Sequence, residues 1–269
     1  MILVTGANGN LGSTTVAALR ARGAAATGGS RTPGEGMRRL DFDDPVSLDL
    51  AGVSTLVLVS AGYAEDDRVV GRHAAVLDAA VRDGVGHVVY TSLTTAGDHL
   101  GFALAHRATE RLVRASGLPW TILRNGLYAE LFGGLLMWTG DGVESAFGDG
   151  ALAAVAREDL AEAAAIVAAS PAEHGGRVYD LVGTPITAGR VADRLGVAHR
   201  TIGLGEYRRR LLDETPGLLA FQPPMLASIA TGIRHGFLDG TTADLTRLLG
   251  RPARDPLATA AAAAAATRP

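Results

Sequence analysis

The residues able to do chemistry are few, and they cluster at the ends of apolar runs. Tyr90, Thr91 and Ser92 close the run HisValValTyrThrSerLeu at 87–93, Asn125 to Tyr128 follow TrpThrIleLeuArg at 120–124, and His106 lies between them, one helical turn before Glu110. His106 is the one candidate for a proton donor or polar contact to a reacting group; spaced i, i+4 from Glu110, it reads as readily as half of a structural hydrogen-bond pair. Tyr128 reads as a pocket wall or as core packing. All 25 basic residues are arginine. Chemistry that needs a lysine amine or a Tyr–Lys pair is therefore excluded. Cysteine is absent, which removes disulfides, thiolate metal sites and a thiol nucleophile. The seven histidines show neither HxH nor HExxH spacing and no GxSxG elbow occurs, so neither a metal site nor a hydrolase of that type is expected.

The other informative stretch is MILVTGANGNLG at 1–12, where Ile2, Leu3 and Val4 run into glycines at 6, 9 and 12. A glycine triplet alone is compatible with a flexible loop. An apolar strand before it and the helix-like SerThrThrValAlaAlaLeuArg after it make it a phosphate-binding turn. Gly6 then permits the tight turn, Gly9 the approach of a diphosphate, and Gly12 close packing of the helix on the strand. Together with Asn8, Asn10 and Leu11 these residues are the expected dinucleotide cradle.

The elements that must position these groups alternate along the chain. Helices are expected at 11–22, 68–83, 102–116 and 157–170, and strands at 24–29, 39–42, 55–61, 87–93, 120–124 and 177–182, the last at or near the sheet edge. A short helix starts at Pro45. Such alternation implies an α/β fold, a Rossmann-like doubly wound parallel sheet with right-handed crossovers and a small C-terminal α/β lobe. The expected division is a nucleotide-binding domain over 1–128, rejoined by 152–183, and a smaller cleft-forming lobe over 129–151 and 184–269. Ligands of such sheets bind at the carboxyl ends of the strands, which brings in Val59, Ser60, Ala61 and Tyr63 beside the glycine turn. The second strand ends on Ser30 and Arg31 rather than on an acidic residue. That favours NADPH, with NADH possible, because Arg accommodates a 2′-phosphate; a solvated loop cation is the plain alternative. Asp41 and the neighbouring Phe42 are candidates for the adenine edge, or Asp41 is an exposed turn carboxylate. The Gly-, Leu-, Met- and aromatic-rich stretch 131–150 suits an apolar substrate wall or lid and equally an ordinary inter-lobe core. Helix patterns recur at 187–196, 205–213 and 223–236, and the alanine tract at 258–266 is helix-prone but expected to fray at a terminus.

A net charge of −3 leaves no basic stripe for nucleic acid, and no apolar run reaches membrane-spanning length. A soluble, cytoplasmic monomer or homodimer acting on a small molecule is expected.

With these residues in place, the chain resembles the NmrA-like atypical branch of the short-chain dehydrogenase/reductase superfamily. The resemblance rests on VTGANGNLG (4–12), YTSL (90–93), HRATERLVRASGLPWTILRNGLY (106–128), AREDLAEAAAIV (156–167), GRVYDLVG (176–183) and GFLDGTTADLTRLLGRP (236–252). It implies an NADPH-dependent reductase of quinones or other conjugated acceptors, or a non-catalytic regulator that senses NADP(H). It also implies that Gly6, Asn8, Gly9, Asn10, Leu11 and Gly12 hold the diphosphate and Arg31 the 2′-phosphate. Val59 to Ala61 and Tyr90 to Ser92 would flank the two halves of the cofactor, with Asn125, Gly126 and Tyr128 beside the nicotinamide. Some relatives carry Lys at the position of His106, and that role cannot be borrowed here. The chemistry agrees. Ketone reduction makes an alkoxide with basicity on the scale of water at about pKa 15.7, and needs a positioned acid. Reduction of a quinone makes a phenolate-like anion nearer to about 10, which solvent or a weak donor can protonate.

Overall fold

The computed structural model describes residues 1–61, 64–213 and 217–269. In chain order the elements are β1 (Ile2–Val4), α1 (Asn10–Ala21), β2 (Ala26–Ser30), β3 (Arg38–Arg39), β4 (Thr55–Val59), α2 (Asp66–Arg82), β5 (His87–Leu93), α3 (Ala103–Ala115) and β6 (Trp120–Asn125). They continue with α4 (Ala129–Gly134), β7 (Met137–Thr139), β8 (Gly142–Ser145), β9 (Ala151–Ala154), α5 (Arg157–Ala169), β10 (Val178–Leu181), β11 (Thr184–Thr187) and α6 (Ala188–Leu195). The chain ends with β12 (Ala198–Thr201), α7 (Leu204–Asp213), α8 (Gln222–Arg234), α9 (Asp244–Leu249) and α10 (Pro256–Ala266).

Seven parallel strands form the central sheet in the order β10-β6-β5-β4-β1-β2-β3. It is a Rossmann-like α/β fold. Its strands are apolar on both faces because both faces are covered. Ile2, Val4, Val57, Val89 and Leu123 pack with Leu160, Ala164 and Val167 of α5, while Leu3, Leu56, Leu58, Val88 and Ile122 pack with Val76, Leu77 and Val113 of α2 and α3. The order reverses between β1 and β4, which leaves a crevice at the carboxyl ends of those two strands.

Two small sheets, β11-β9 and β12-β8-β7, surround a separate apolar cluster. Phe132, Phe147, Leu152, Ile186, Ile229, Ile233 and Ala260 belong to it. Within stretch 131–150, Phe132, Leu136 and Val143 belong to this cluster, Leu135 belongs to it and also borders a cleft, and Leu131 and Gly134 line that cleft.

Three expectations need correction. The strand placed at 39–42 is only Arg38–Arg39, because the chain turns at Asp41, whose carbonyl accepts from Asp44 N–H at 3.0 Å. The second strand runs over 26–30 rather than 24–29. Its glycines answer to packing: a Cβ on Gly28 would lie 2.5 Å from the Ala7 Cβ and one on Gly29 2.2 Å from Leu40 Cδ1. The alanine tract does not fray in this fold. Asp255 caps α10, accepting from Leu257 N–H at 2.9 Å, Ala260, Ala261 and Ala264 are buried, and the indole of Trp138 donates to the Ala264 carbonyl at 2.8 Å. Alanine has no long side chain to hold the two helices apart.

Candidate active site

A cleft of about 950 Å³ follows the carboxyl ends of β2, β1, β4, β5 and β6, with α4 and α8 opposite. Its first end is built from the glycine turn. Gly6 has φ +61, a left-handed conformation open to glycine. A Cβ on Gly12 would stand 2.4 Å from the Gly6 carbonyl oxygen, so only glycine lets α1 start so close to β1. No side chain caps α1 and no acidic residue stands in its first turn, whereas α5 has Glu158 and Asp159 there. The amides at the start of α1 are left to an external anion.

Gly6, Asn8, Gly9, Asn10, Leu11 and Gly12 all line this end, and Ser30, Arg31, Asp41 and Phe42 continue it. Arg72 and Asp43 also reach the cleft, which the sequence pattern did not reveal. Arg72 donates to both oxygens of Asp43 at 2.8 and 2.5 Å, and that hydrogen-bonded cation holds the Asp43 carboxyl far below the usual range.

The middle of the cleft is held from beneath. Val59 N–H donates to Thr5 Oγ1 at 2.9 Å, Ser60 N–H to Thr91 Oγ1 at 3.0 Å and Ala61 N–H to His73 Nε2 at 2.8 Å. Thr109 donates its hydroxyl proton to the Ala105 carbonyl at 2.8 Å and so accepts from His73 Nδ1 at 2.7 Å. His73 is thereby fixed as the neutral Nδ1–H form, and burial drives its pKa down to about 3. Val59, Ser60, Ala61, Thr91 and Ser92 line the cleft; Tyr63 lies outside the described residues.

Tyr90 does not line the cleft. It is fully buried, packed with β-sheet and α2 side chains, because a side chain two positions from Ser92 on β5 points to the same face but lies deeper in the layer. Its hydroxyl meets His106 Nδ1 at 3.0 Å. The His106–Glu110 pair does not form either. Glu110, only 1% exposed, accepts from Ser92 at 2.7 Å, from Arg107 at 2.9 Å and from Arg124 at 2.8 and 2.9 Å. Burial works to raise the Glu110 carboxyl, yet the hydrogen bonds of Arg124 and Ser92 hold it below its ordinary range. With its acceptors spent on Ser92 and on the guanidinium groups of Arg107, Arg114 and Arg124, Glu110 leaves His106 to the phenol. Burial, aided by the charge of Arg107, lowers His106 to about 4, so a neutral imidazole lines the cleft.

Asn125, Gly126 and Tyr128 line the cleft beyond β6. Asn125 Oδ1 is buried with no partner among the described residues. A buried acceptor facing a cleft awaits a donor, and the amide of a nicotinamide is one. Taken with the uncapped start of α1, this means that the residues fit a pyridine dinucleotide. The far end is apolar, walled by Phe102, Leu131 and Leu135 on one side and by Met225, Leu226 and Ile229 of α8 on the other. The sequence showed that α8 is a helix; which of its residues meet the cleft depends on how the chain returns over the sheet.

A family model described as NAD(P)H-binding matches residues 6–171. Quinone oxidoreductase 2 of Escherichia coli K12 is 31% identical over 278 aligned positions, covering 94% of each chain. Among solved structures, the triphenylmethane reductase of a Citrobacter species, complexed with NADP(H), superposes with a TM-score of 0.86 at 29% identity, covering 97% of this chain and 99% of that one. The E. coli NADPH-dependent quinone oxidoreductase in complex with NADPH gives 0.85 at 30% identity over 97% and 99% of the two chains. A glycine turn opening on an uncapped helix, at the switch point of a seven-stranded parallel sheet, thus coincides with full-length likeness to reductases. The chain belongs to the NAD(P)H-binding family and is an NAD(P)H-dependent oxidoreductase.

Proposed function

We propose that the protein uses NADPH in preference to NADH and reduces a quinone-like or other conjugated small molecule, in a cleft between the sheet domain (1–128 with 152–183) and a smaller lobe (129–151 with 184–269). The observation that carries this reading is the neutral His106 beside an apolar wall in a protein without lysine. When bound, the cofactor supplies a hydride from C4 of its nicotinamide.

The residues of the chain orient and stabilise. The amides at the start of α1 hold a diphosphate, and Arg31 at the end of β2 faces a 2′-phosphate. Asn125 Oδ1 takes up an amide N–H, fixing which face of the ring meets the acceptor. Phe102, Leu131, Leu135 and Ile229 exclude water and stack against a flat conjugated molecule. His106 at pH 7 carries no extra proton to give away. It serves a developing oxyanion by hydrogen bonding, which suffices for a phenolate-like product and falls short for an alkoxide. The final proton comes from solvent.

The test is purified protein with NADPH and a small quinone, followed by absorbance of the reduced nicotinamide. Loss of signal well above the rate without protein supports the reading. Tight NADPH binding without consumption would favour a sensor of NADP(H), a reading that the likeness to reductases over nearly the whole chain does not favour.

A further inference from the structure

Among the described residues three arginines line the cleft, Arg31, Arg72 and Arg157, and only two have an assigned use. Arg72 is engaged by Asp43, which also pairs with Arg68, and Arg31 stands where a 2′-phosphate would lie. Arg157, the first residue of α5, has a guanidinium carbon 4.8 Å from the centre of the Tyr128 ring. Among the described residues no carboxylate comes within ion-pair distance of it and no acceptor takes its side-chain N–H groups. The nearby Glu130 carboxylate is occupied otherwise, accepting from the backbone N–H of Arg157 at 3.1 and 3.3 Å and so capping α5. A guanidinium stacked by one face on a phenol keeps its in-plane N–H groups free for a bidentate anion.

Its place in the sheet says which anion. Tyr128 follows β6, three strands from β1 and the diphosphate turn. At about 4.8 Å per strand that separation is roughly 14 Å, which sets Arg157 at the acceptor side. We infer that Arg157 anchors an anionic substituent of the acceptor, so that the protein prefers conjugated acceptors carrying a sulfonate, carboxylate or phosphate over neutral ones and disfavours cationic dyes. This inference rests on the reductase reading above.

The experiment measures kcat/KM with NADPH for a naphthoquinone sulfonate and for unsubstituted naphthoquinone, in the wild type, Arg157→Gln and Arg157→Lys. Comparing the ratio between variants cancels the different potentials of the two quinones. The sulfonate-to-neutral ratio is expected to fall about 10- to 100-fold in Arg157→Gln, the scale of one charged hydrogen-bonded contact, and to recover in part in Arg157→Lys. An unchanged ratio overturns the inference, as does a loss that falls on NADPH affinity alone, which would assign Arg157 to the cofactor diphosphate. If no acceptor is turned over, the reductase reading fails separately. Calorimetric binding of the naphthoquinone sulfonate to the NADP⁺-loaded protein then decides the anchor: uptake that is lost in Arg157→Gln supports it, and no uptake by the wild type overturns it.

Discussion

His106 owes its properties to the residues behind it. Burial and, after it, the charge of Arg107 keep the imidazole neutral, with its pKa at about 4, while the Tyr90 phenol meets its Nδ1. Its protonation therefore does not change between pH 5.5 and 8, and kcat measured with NADPH and a non-ionising quinone is expected to show no limb from this residue there. His106→Ala should lower kcat about 10- to 100-fold, the lower part of the range for losing an oxyanion donor and below; an unchanged kcat would reduce His106 to scaffolding. Arg31 belongs to the same scale. Arg31→Ala should raise the Kd of NADPH at least 10-fold and leave that of NADH within about twofold, as read by titrating each nucleotide; equal effects would refute the assignment.

At the scale of elements, the cleft depends on helices placed by absent side chains. Gly133 of α4 has room for no Cβ, which would stand 2.1 Å from the Ala260 carbonyl oxygen of α10. Gly133→Ala should force these helices apart, lowering Tm by roughly 5 °C, on the scale of one to two kcal/mol in a chain of this size. Since Leu131 and Gly134 of α4 and the adjoining Leu135 line the cleft, KM for the acceptor should rise while KM for NADPH holds. Parallel measurement of both constants checks it. The elements themselves were largely legible: the strand at 87–93 was placed to the residue, and those at 120–125 and 178–181 to within one, because buried parallel strands read as unbroken apolar runs. The short β3 was not, since two residues of arginine carry no strand signal. The fraying expected of the helix-prone C-terminal tract was misjudged because its burial depends on α4 and Trp138, more than a hundred residues earlier.

For the whole molecule, buried neutral histidines set the acid limit. His73 and His106 titrate near 3 and 4 in the folded protein against about 6.5 when unfolded. The unfolded chain thus binds more protons as pH falls below 6.5, so this contribution to stability is complete above that pH and is lost progressively toward pH 4 and below. Tm is expected to drop across that window, and less steeply in His73→Gln than in the wild type; calorimetry across pH checks both. The buried Glu110 carboxyl, held below its ordinary range by the hydrogen bonds of Arg124 and Ser92, adds to the same loss at lower pH. Asp159, fully buried at the start of α5, is held by Arg251 and Arg254 and ties the last segment of the chain to the sheet.

The sequence alone determined the sheet, the glycine turn and the chemistry that lysine would have allowed, because those follow from local apolar runs, from glycine's freedom of φ and from composition. Only the tertiary structure decided that Tyr90 sits behind His106 rather than in the cleft, that Glu110 belongs to the arginines, and that Arg157 lines the cleft with no ion-paired carboxylate among the described residues. Those outcomes depend on which groups compete for one hydrogen-bond partner across distant elements, and spacing along a chain does not record the competitors.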